Sequence, residues 1–347
     1  MRKDNFEYVS GCLLGGAIGD ALGYPVEFYS LADIRREHGP NGVADLPAEP
    51  AAALISDDTQ MTLFTAEGLL RAICRGSLRG IRHPPSIVHN AYLRWLHTQG
   101  HTAAKLEGKM DGWLVKVPAL HHRRAPGNTC LSALLSGNAG TTSAPINNSK
   151  GCGGIMRAAP VGLIMQPDDV FGCACDIAAL THGHPCGYLS AGVLAQIVCE
   201  ITSGAELLPA IERSVDRLRQ ERDHDECLAA VERALQFAAG KPASPETVES
   251  LGEGWVGEEA LAIAVFCALK AEGDFSRGVL LAVNHGGDSD STGSIAGNIL
   301  GCLLGRDAIP ESWRTRVELA AEIDALAADI VTRFRDDDAW FDRYPGW

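Results

Sequence analysis

Apolar and small residues recur every three to four positions along most of the chain, a pattern that predicts α-helices. Met61–Arg75 is a clear amphipathic helix, and the strict two-residue alternation of strands is scarce throughout. The predicted helices are Val9–Leu22, Met61–Arg75, Ile87–Leu96, Val170–Thr181, Gly187–Thr202, Leu207–Gln220, Asp225–Ala239, Gly257–Ala271, Phe275–Asn284, Thr292–Leu304 and Trp313–Phe334. The sequence therefore predicts an all-α fold.

Three segments between these helices lack helical periodicity. Tyr24–Leu54 and Pro242–Glu253 are predicted connections, and the longest segment, Gly100–Gly154, is rich in Gly, Asn, Ser, Thr and Pro. A loop of that length inside a compact chain is usually functional or disordered. No shift in composition marks a domain boundary, so residues 1–347 are predicted to form one domain.

Two glycine-rich segments stand near opposite ends of the chain. Gly11–Gly23 and Gly293–Gly305 both place Gly or Ala every three to four residues. Helices with small residues at that spacing approach one another closely, so we expect both segments to pack in the core.

Composition and charge exclude several classes of protein. The 347 residues are 46% hydrophobic, enough for a substantial core, and the net charge of −14 argues against a general affinity for nucleic acid or anionic membranes. No stretch reaches the roughly 18–20 apolar residues that span a bilayer, and the glycine-rich start, interrupted by Asp20, does not resemble a signal peptide. Eleven scattered cysteines without a CxxC pair indicate free thiols and a cytoplasmic protein.

Two acidic runs lie more than two hundred residues apart, each just before a predicted helix. They are Ser56-Asp57-Asp58-Thr59 and Asp288-Ser289-Asp290-Ser291-Thr292. Four carboxylates crowded into one site repel one another unless cations neutralise them, and all-oxygen ligands suit Mg²⁺, Mn²⁺ or Ca²⁺. If the two runs meet in the fold, they form a site for a pair of metal ions.

Other interpretations of the acidic runs remain open at this point. Either run fits a polar helix cap. The second run also resembles the DxDx(T/V) nucleophile motif of haloacid-dehalogenase-type phosphatases, but that motif follows a hydrophobic strand, whereas Gly286-Gly287 and helical surroundings occupy this place.

A glycine-rich run before an apolar stretch is a candidate anion site. Gly151–Gly154 offers backbone amides, and Lys150 and Arg157 add positive charge nearby, although the run matches neither a Walker loop nor GxGxxG. A flexible loop is the alternative. His182 follows an apolar helix and Glu27 lies on a turn after the first helix, and neither residue indicates a function by itself.

Taken in order along the chain, these motifs resemble the ADP-ribosylglycohydrolase family. The matching segments are GGAIGDALG at 15–23 with Pro25 and Glu27, SDDTQM at 56–61, GNT at 127–129, SKGCGGIMR at 149–157 with Ala159-Pro160, Thr181-His182, and HGGDSDS at 285–291. The resemblance covers roughly residues 9–305. It implies a compact helical bundle whose cleft holds two Mg²⁺ or Mn²⁺ ions.

The resemblance also implies a role for each matching residue. The implied metal ligands are Ser56, Asp57, Asp58, Asp288, Asp290 and Ser291, with Asp290 bridging the ions. The implied substrate-binding residues are Gly127, Asn128, Ser149, Lys150, Gly151, Cys152, Gly153, Met156 and His182. The implied catalytic residues are Glu27, Asp57, Asp58 and Asp290. The family often has threonine where this chain has Ser56, Ser289 and Ser291, so the hydroxyl is kept.

The implied activity is removal of ADP-ribose from modified protein side chains through attack of water at C1″ of the distal ribose. Arginine is the favoured linkage, and serine or another ADP-ribose conjugate stays open. Glu27 is expected to act as a gate or proton-transfer group. Some bacterial members carry an aspartate where this chain has Ala125-Pro126, and Asp111 is a distant substitute.

The expected partners are an ADP-ribosylated protein or ADP-ribose, with no membrane and no nucleic acid. Two alternatives accompany the enzyme hypothesis. The protein would be an antidote that binds and blocks an ADP-ribosylating toxin, or a phosphatase-like hydrolase that uses two metals.

Overall fold

A computed structural model describes residues 2–101 and 110–346, and all of its regular elements are helical. The α-helices are α1 Phe6–Gly23, α2 Leu31–His38, α3 Asp57–Arg79, α4 Pro84–Thr98, α5 Asn128–Leu135, α6 Ala159–Ile164, α7 Val170–Ala179, α8 Pro185–Thr202, α9 Leu207–Leu218, α10 Asp225–Gly240, α11 Pro245–Glu249, α12 Gly257–Lys270, α13 Phe275–Val283, α14 Ser289–Leu304, α15 Glu311–Arg316, α16 Ala320–Thr332 and α17 Asp338–Arg343. The prediction of an all-α fold is confirmed.

Helices α1 and α14 form the centre of the fold. Both are buried on every side over most of their length, which explains why neither shows a polar face in the sequence. Helices α13, α12 and α16 pack around this pair, and α3 pairs with α4, α7 with α8, and α10 with α12. Within the described part of the chain, no helix is long and apolar enough to cross a membrane.

The contact between α1 and α14 is antiparallel and is made by backbone atoms. A Cβ atom added to Gly297 would lie 2.0 Å from the carbonyl oxygen of Gly15, and one added to Gly301 would lie 1.9 Å from that of Gly11. At the other end of the pair, a Cβ on Gly23 would lie 2.2 Å from the carbonyl oxygen of Ser289. The predicted close packing of the two glycine-rich segments is confirmed, and only glycine fits these positions.

Five short helices, α2, α5, α6, α11 and α17, lie where the sequence predicted loops, an apolar stretch or nothing regular. Helix α2 falls in the predicted connection Tyr24–Leu54, and it begins with a capping box in which Ser30 and Asp33 bond each other's backbone amides. Helices α5, α6 and α11 are equally short, so their periodicity is weak over one or two turns. Part of the predicted loop Gly100–Gly154, residues 102–109, lies outside the described residues.

The predicted helix Trp313–Phe334 is wrong as a single element. The chain breaks between α15 and α16 because Val317 pairs with Ala53 in a parallel bridge, and Glu318 N donates to the Ala53 carbonyl at 2.9 Å. Leu319 then adopts a left-handed conformation with φ of 63°. The helical periodicity of residues 313–334 gives no indication of this long-range pairing, so the sequence could not predict the break.

Replacing a glycine at the α1–α14 contact is predicted to destabilise the fold severely. Gly297→Ala forces a methyl group against backbone atoms, so we expect the free energy of unfolding to fall by at least about 3 kcal/mol, the upper end of ordinary overpacking. Urea denaturation followed by circular dichroism measures this change.

Gly172→Ala is the matched control. Gly172 lies in α7, and a Cβ there meets no atom within 4 Å, so this variant should gain about 0.5–1 kcal/mol. Equal effects of the two substitutions would contradict the proposed role of the backbone contact.

Candidate active site

The two acidic runs meet in one cleft. This cleft has a volume of about 350 Å³. Its lining residues are Glu27, Phe28, Asp57, Asp58, Ala125, Pro126, Gly127, Asn128, Thr129, Cys130, Gly151, Cys152, Gly153, Met156, His182, Trp255, Asp288, Asp290 and Ser291. All but three of the residues predicted for the site are in this set. The exceptions are Ser56, Ser149 and Lys150.

The start of α3 brings Asp57 and Asp58 to the cleft, and a buried carboxylate holds that start in place. Asp20 accepts hydrogen bonds from Ser56 N at 2.9 Å and from Thr59 N at 3.1 Å. The Ser56 hydroxyl caps the helix by accepting from Asp58 N at 3.2 Å. The capping interpretation of this run is therefore correct, and it leaves the aspartate carboxylates free to face the cleft.

Asp20 holds one wall of the site in place, a role that the sequence analysis did not give it. It is fully buried, and it is the one charged residue in the otherwise apolar and glycine-rich body of α1. A buried carboxylate needs partners, so a lone aspartate in such a helix is a signal that could have identified it. In the structure it connects the end of α1 to the start of α3.

The start of α14 brings Asp288 and Asp290 to the other side of the same group of carboxylates. Asp288 caps the helix, accepting from Ser291 N at 3.4 Å, and its own amide donates to the Glu253 carbonyl at 2.8 Å. Asp290 accepts from Ser291 N at 2.9 Å. Carboxylate oxygens of Glu27, Asp288 and Asp290 all lie within 4.8 Å of one another.

Burial and mutual repulsion make this group of carboxylates costly to ionise. Burial first, and then the charges of neighbouring carboxylates, raise the pKa of Asp58 and Asp288 well above the ordinary value. The same two causes raise the pKa of Asp20 to about 7 and that of Glu27 to about 10. An added positive charge would favour the ionised forms.

The donor set fits hard divalent cations. It is made of carboxylate oxygens with serine hydroxyls beside them, the chemistry of Mg²⁺ and Mn²⁺ sites. Oδ1 of Asp58 is buried and has no hydrogen-bond partner among the described residues. An ion bound at the carboxylates would satisfy such an oxygen.

The glycine-rich loop also lines the cleft and is fixed to the segment before α12. Gly151 pairs with Val256 in an antiparallel bridge, and Gly257 N donates to the Lys150 carbonyl at 2.8 Å. Cys152 N donates to the Trp255 carbonyl at 3.1 Å, so this amide is already used and does not point to an anion. The Cys152 thiol instead donates to Oδ2 of Asp288 at 2.7 Å.

Lys150 is placed differently from the prediction. Its Nζ lies 2.5 Å from Glu226 and 2.6 Å from Glu258, behind the loop and outside the cleft lining. Two carboxylates from helices far along the chain thus draw the ammonium away from the predicted anion site. Asp111 is not in the cleft either, because its carboxylate pairs with Arg71 at 2.7 Å.

His182 lies under the loop as a neutral side chain. Burial first, and then the charge of Arg157, lower the pKa of His182 to about 3. Thr181 Oγ1 accepts from Arg157 Nη2 at 2.5 Å and lies 2.8 Å from Nδ1 of His182. In the tautomer where the Thr181 hydroxyl donates to Nδ1, the imidazole carries its proton on Nε2.

Two aromatic rings also line the cleft, and the sequence analysis missed both. Phe28 and Trp255 stack with ring centroids 5.1 Å apart and planes 20° from parallel. Phe28 is 71% exposed and has a left-handed backbone with φ of 71°, unusual for a large side chain. Phe28 and Trp255 lie far apart in the sequence, so no sequence pattern indicates that their rings stack.

Comparison with known proteins identifies the family. The family model described as ADP-ribosylglycohydrolase matches residues 1–339. The chain belongs to the ADP-ribosylglycohydrolase family. The predicted membership is confirmed, and with it the prediction of a glycohydrolase enzyme.

Named relatives and a solved structure agree with this assignment. The ADP-ribosyl-[dinitrogen reductase] glycohydrolase of Rhodospirillum rubrum is 26% identical over 92% of this chain and 95% of its own length. The ADP-ribosylarginine hydrolase Tri1 of Pseudomonas putida is 24% identical over 93% of this chain and 77% of its own. A solved structure titled ADP-ribosylglycohydrolase-related protein complex superposes with a TM-score of 0.67 at 26% identity, covering 95% and 99% of the two chains. A toxin partner finds no support in these comparisons.

The stabilising effect of Mg²⁺ or Mn²⁺ is predicted to grow with pH. Carboxyl groups whose pKa is raised by folding stabilise the folded state below their unfolded pKa, near 4, and this contribution is lost as pH rises through the folded pKa. A cation at the site offsets that loss. The difference in Tm between protein with metal and protein with chelator should therefore be larger at pH 8 than at pH 5.

Thermal unfolding at the two pH values measures this difference. Asp290→Asn serves as the control, because it removes one charge from the group and should reduce the dependence on pH. A metal-induced rise in Tm that is the same at both pH values would show that the ions bind elsewhere.

Proposed function

We propose that the protein hydrolyses the glycosidic bond between ADP-ribose and a modified protein side chain, with arginine as the preferred linkage. The observation that carries this proposal is one cleft in which buried carboxylates from α3 and α14 face the glycine-rich loop and His182. In a member of this family, the carboxylates would face the ribose hydroxyls and the loop with His182 would face the diphosphate.

The metal ions are part of the proposal. Asp57, Asp58, Asp288 and Asp290 would hold two Mg²⁺ or Mn²⁺ ions, with the hydroxyls of Ser56 and Ser291 beside them. When bound, these ions supply positive charge for ribose hydroxyls and lower the pKa of a bound water. The unpaired oxygen of Asp58 supports this assignment.

The chain's own groups orient the nucleotide. The neutral His182 would donate from Nε2 to a diphosphate oxygen, since Nδ1 is occupied by Thr181. Gly151 and Gly153 let the imidazole ring of His182 approach the loop, because a Cβ atom on Gly153 would lie 3.1 Å from Nε2 of His182. Asp57, held by the amide of Gly127 at 3.1 Å, would position the sugar or the water.

Glu27 would carry the proton that leaves with the side chain. It follows α1 on a turn, is half-buried, and its pKa is raised to about 10 by burial and by the surrounding carboxylates. This pKa applies without the ions; their positive charge would favour ionised Glu27, which would take a proton from the attacking water and pass it to the leaving nitrogen as the glycosidic bond breaks.

Two observations support the arginine linkage. One relative that matches nearly the whole chain is named an ADP-ribosylarginine hydrolase. A second hollow beside Glu27 is lined by Tyr24, Phe28 and Glu49 among others. Aromatic rings with a carboxylate suit a planar cation such as guanidinium.

The proposed location is the cytoplasm. All eleven cysteines are unpaired, which is typical of proteins in a reducing compartment.

The activity is tested by release of ADP-ribose from arginine-modified and serine-modified proteins, with Mg²⁺, with Mn²⁺ and with chelator. We expect release from the arginine substrate, loss with chelator, and a decrease of about 10²-fold or more in Asp290→Asn. Release from the serine substrate alone would correct the linkage. No release from either, in folded protein that binds metal, would refute the proposed hydrolase activity for these linkages.

Replacing Glu27 is predicted to affect turnover more than binding. Glu27→Gln keeps the size of the side chain but removes the carboxylate that transfers the proton, so kcat should fall by about 10²–10⁴-fold with little change in KM. Glu253→Gln, an exposed carboxylate near the cleft rim, is the matched control and should leave kcat within about twofold. Equal kcat values for wild type and Glu27→Gln would exclude the proton-transfer role.

A further inference from the structure

Behind the glycine-rich loop, three side chains of different chemistry converge outside the cleft. A ring nitrogen of His184, the Sγ atom of Cys186 and a carboxylate oxygen of Glu226 all lie within 4.8 Å of one another. Cys186 Sγ donates to Oε2 of Glu226 at 3.1 Å. None of the three lines the cleft or is used in the proposed reaction.

We propose that His184, Cys186 and Glu226 form a second metal site, selective for Zn²⁺ and similar thiophilic divalent ions. Imidazole, thiolate and carboxylate are the ligands that Zn²⁺ combines in proteins, whereas the cleft offers mainly oxygen ligands. Zn–S and Zn–N bonds of about 2.3 and 2.1 Å at a tetrahedral angle require ligand atoms about 3.5 Å apart. Small rotations of the half-buried His184 and the exposed Glu226 would achieve that spacing.

The metal would take the place of the thiol proton. At present the proton of Cys186 lies between Sγ and Oε2 of Glu226. On binding, Sγ and Oε2 coordinate the ion and the proton leaves to solvent, so one proton is released and no oxidant or reductant is needed. Oε1 of Glu226 can stay paired with Lys150.

A buried carboxylate beside the cluster has one oxygen without a hydrogen-bond partner, which a bound cation would contact. Glu258 is 5% exposed, its Oε1 accepts from Lys150, and its Oε2 has no hydrogen-bond partner among the described residues. The negative charges of Glu258 and Glu226 both act on Cys186, and the single positive charge of Lys150, which pairs with both carboxylates, offsets only one of them. This orphaned oxygen is an observation independent of the three converging ligands.

The position of the site suggests what a bound ion would do. His184 and Cys186 stand at the start of α8 and Glu226 at the start of α10. His184 N also donates to the Ser149 carbonyl at 3.1 Å, which connects this point to the loop that lines the cleft. An ion would fasten α8 to α10 and brace the loop from behind.

Co²⁺ titration of the full chain tests the proposal, because a thiolate bound to Co²⁺ gives a charge-transfer absorption band. We expect a band at one equivalent of metal, its loss in Cys186→Ser, and Co²⁺ binding at least about tenfold weaker in Glu226→Gln. Glu226 is exposed, so the second variant retains the fold even if the first does not. Competition with Zn²⁺ should remove the band, and Zn²⁺ should raise Tm in wild type but not in Glu226→Gln.

Cys152→Ser is the decisive control, since Cys152 lies against Asp288 and is the thiol that a cleft-bound ion would reach. The band should persist in this variant. A band lost in Cys152→Ser but kept in Cys186→Ser would place the ion in the cleft and overturn the proposal. Absence of any band in folded wild-type protein, together with no rise in Tm with Zn²⁺, would also overturn it.

Discussion

The backbone contact between α1 and α14 is the constraint on which the site depends. Because glycines at four-residue spacing remove the side chains between the two helices, the end of α1 lies directly against the start of α14. Asp20 and Glu27 therefore stand beside Asp288 and Asp290, although these residues are far apart in sequence. Wider packing at this contact would move the two halves of the site apart and separate the carboxylates that we propose as metal ligands.

The same arrangement sets stability against function. Several buried carboxylates in one place repel one another and oppose folding, and helix caps and backbone amides offset only part of that repulsion. Asp20 shows how the fold manages the cost, because its carboxylate is fully engaged by the first turn of α3. Asp58 shows the opposite case, a buried carboxyl group with one oxygen that has no hydrogen-bond partner among the described residues.

Sequence reasoning succeeded where one segment carries its own signal. Long apolar periodicities predicted the major helices, and the glycine spacing predicted that both glycine-rich segments pack closely in the core, although it did not predict that they pack against each other. It failed where the outcome depends on partners elsewhere in the chain: Lys150 turns away from the cleft toward Glu226 and Glu258, and Val317 interrupts a helix to pair with Ala53. The short helix α2 was missed because its segment is too short to show periodicity; the structure shows that a capping box of Ser30 and Asp33 starts it.

The pairing of α1 with α14 also has a consequence for how the protein is made. Helix α1 is apolar on all sides, yet about 270 residues must be synthesised before its partner exists, which takes about 13–54 s at 5–20 residues per second. Throughout that interval the nascent chain carries a mostly apolar helix segment without its native partner. The geometry that unites the two halves of the cleft thus makes the newborn polypeptide dependent on whatever shields α1 at the ribosome.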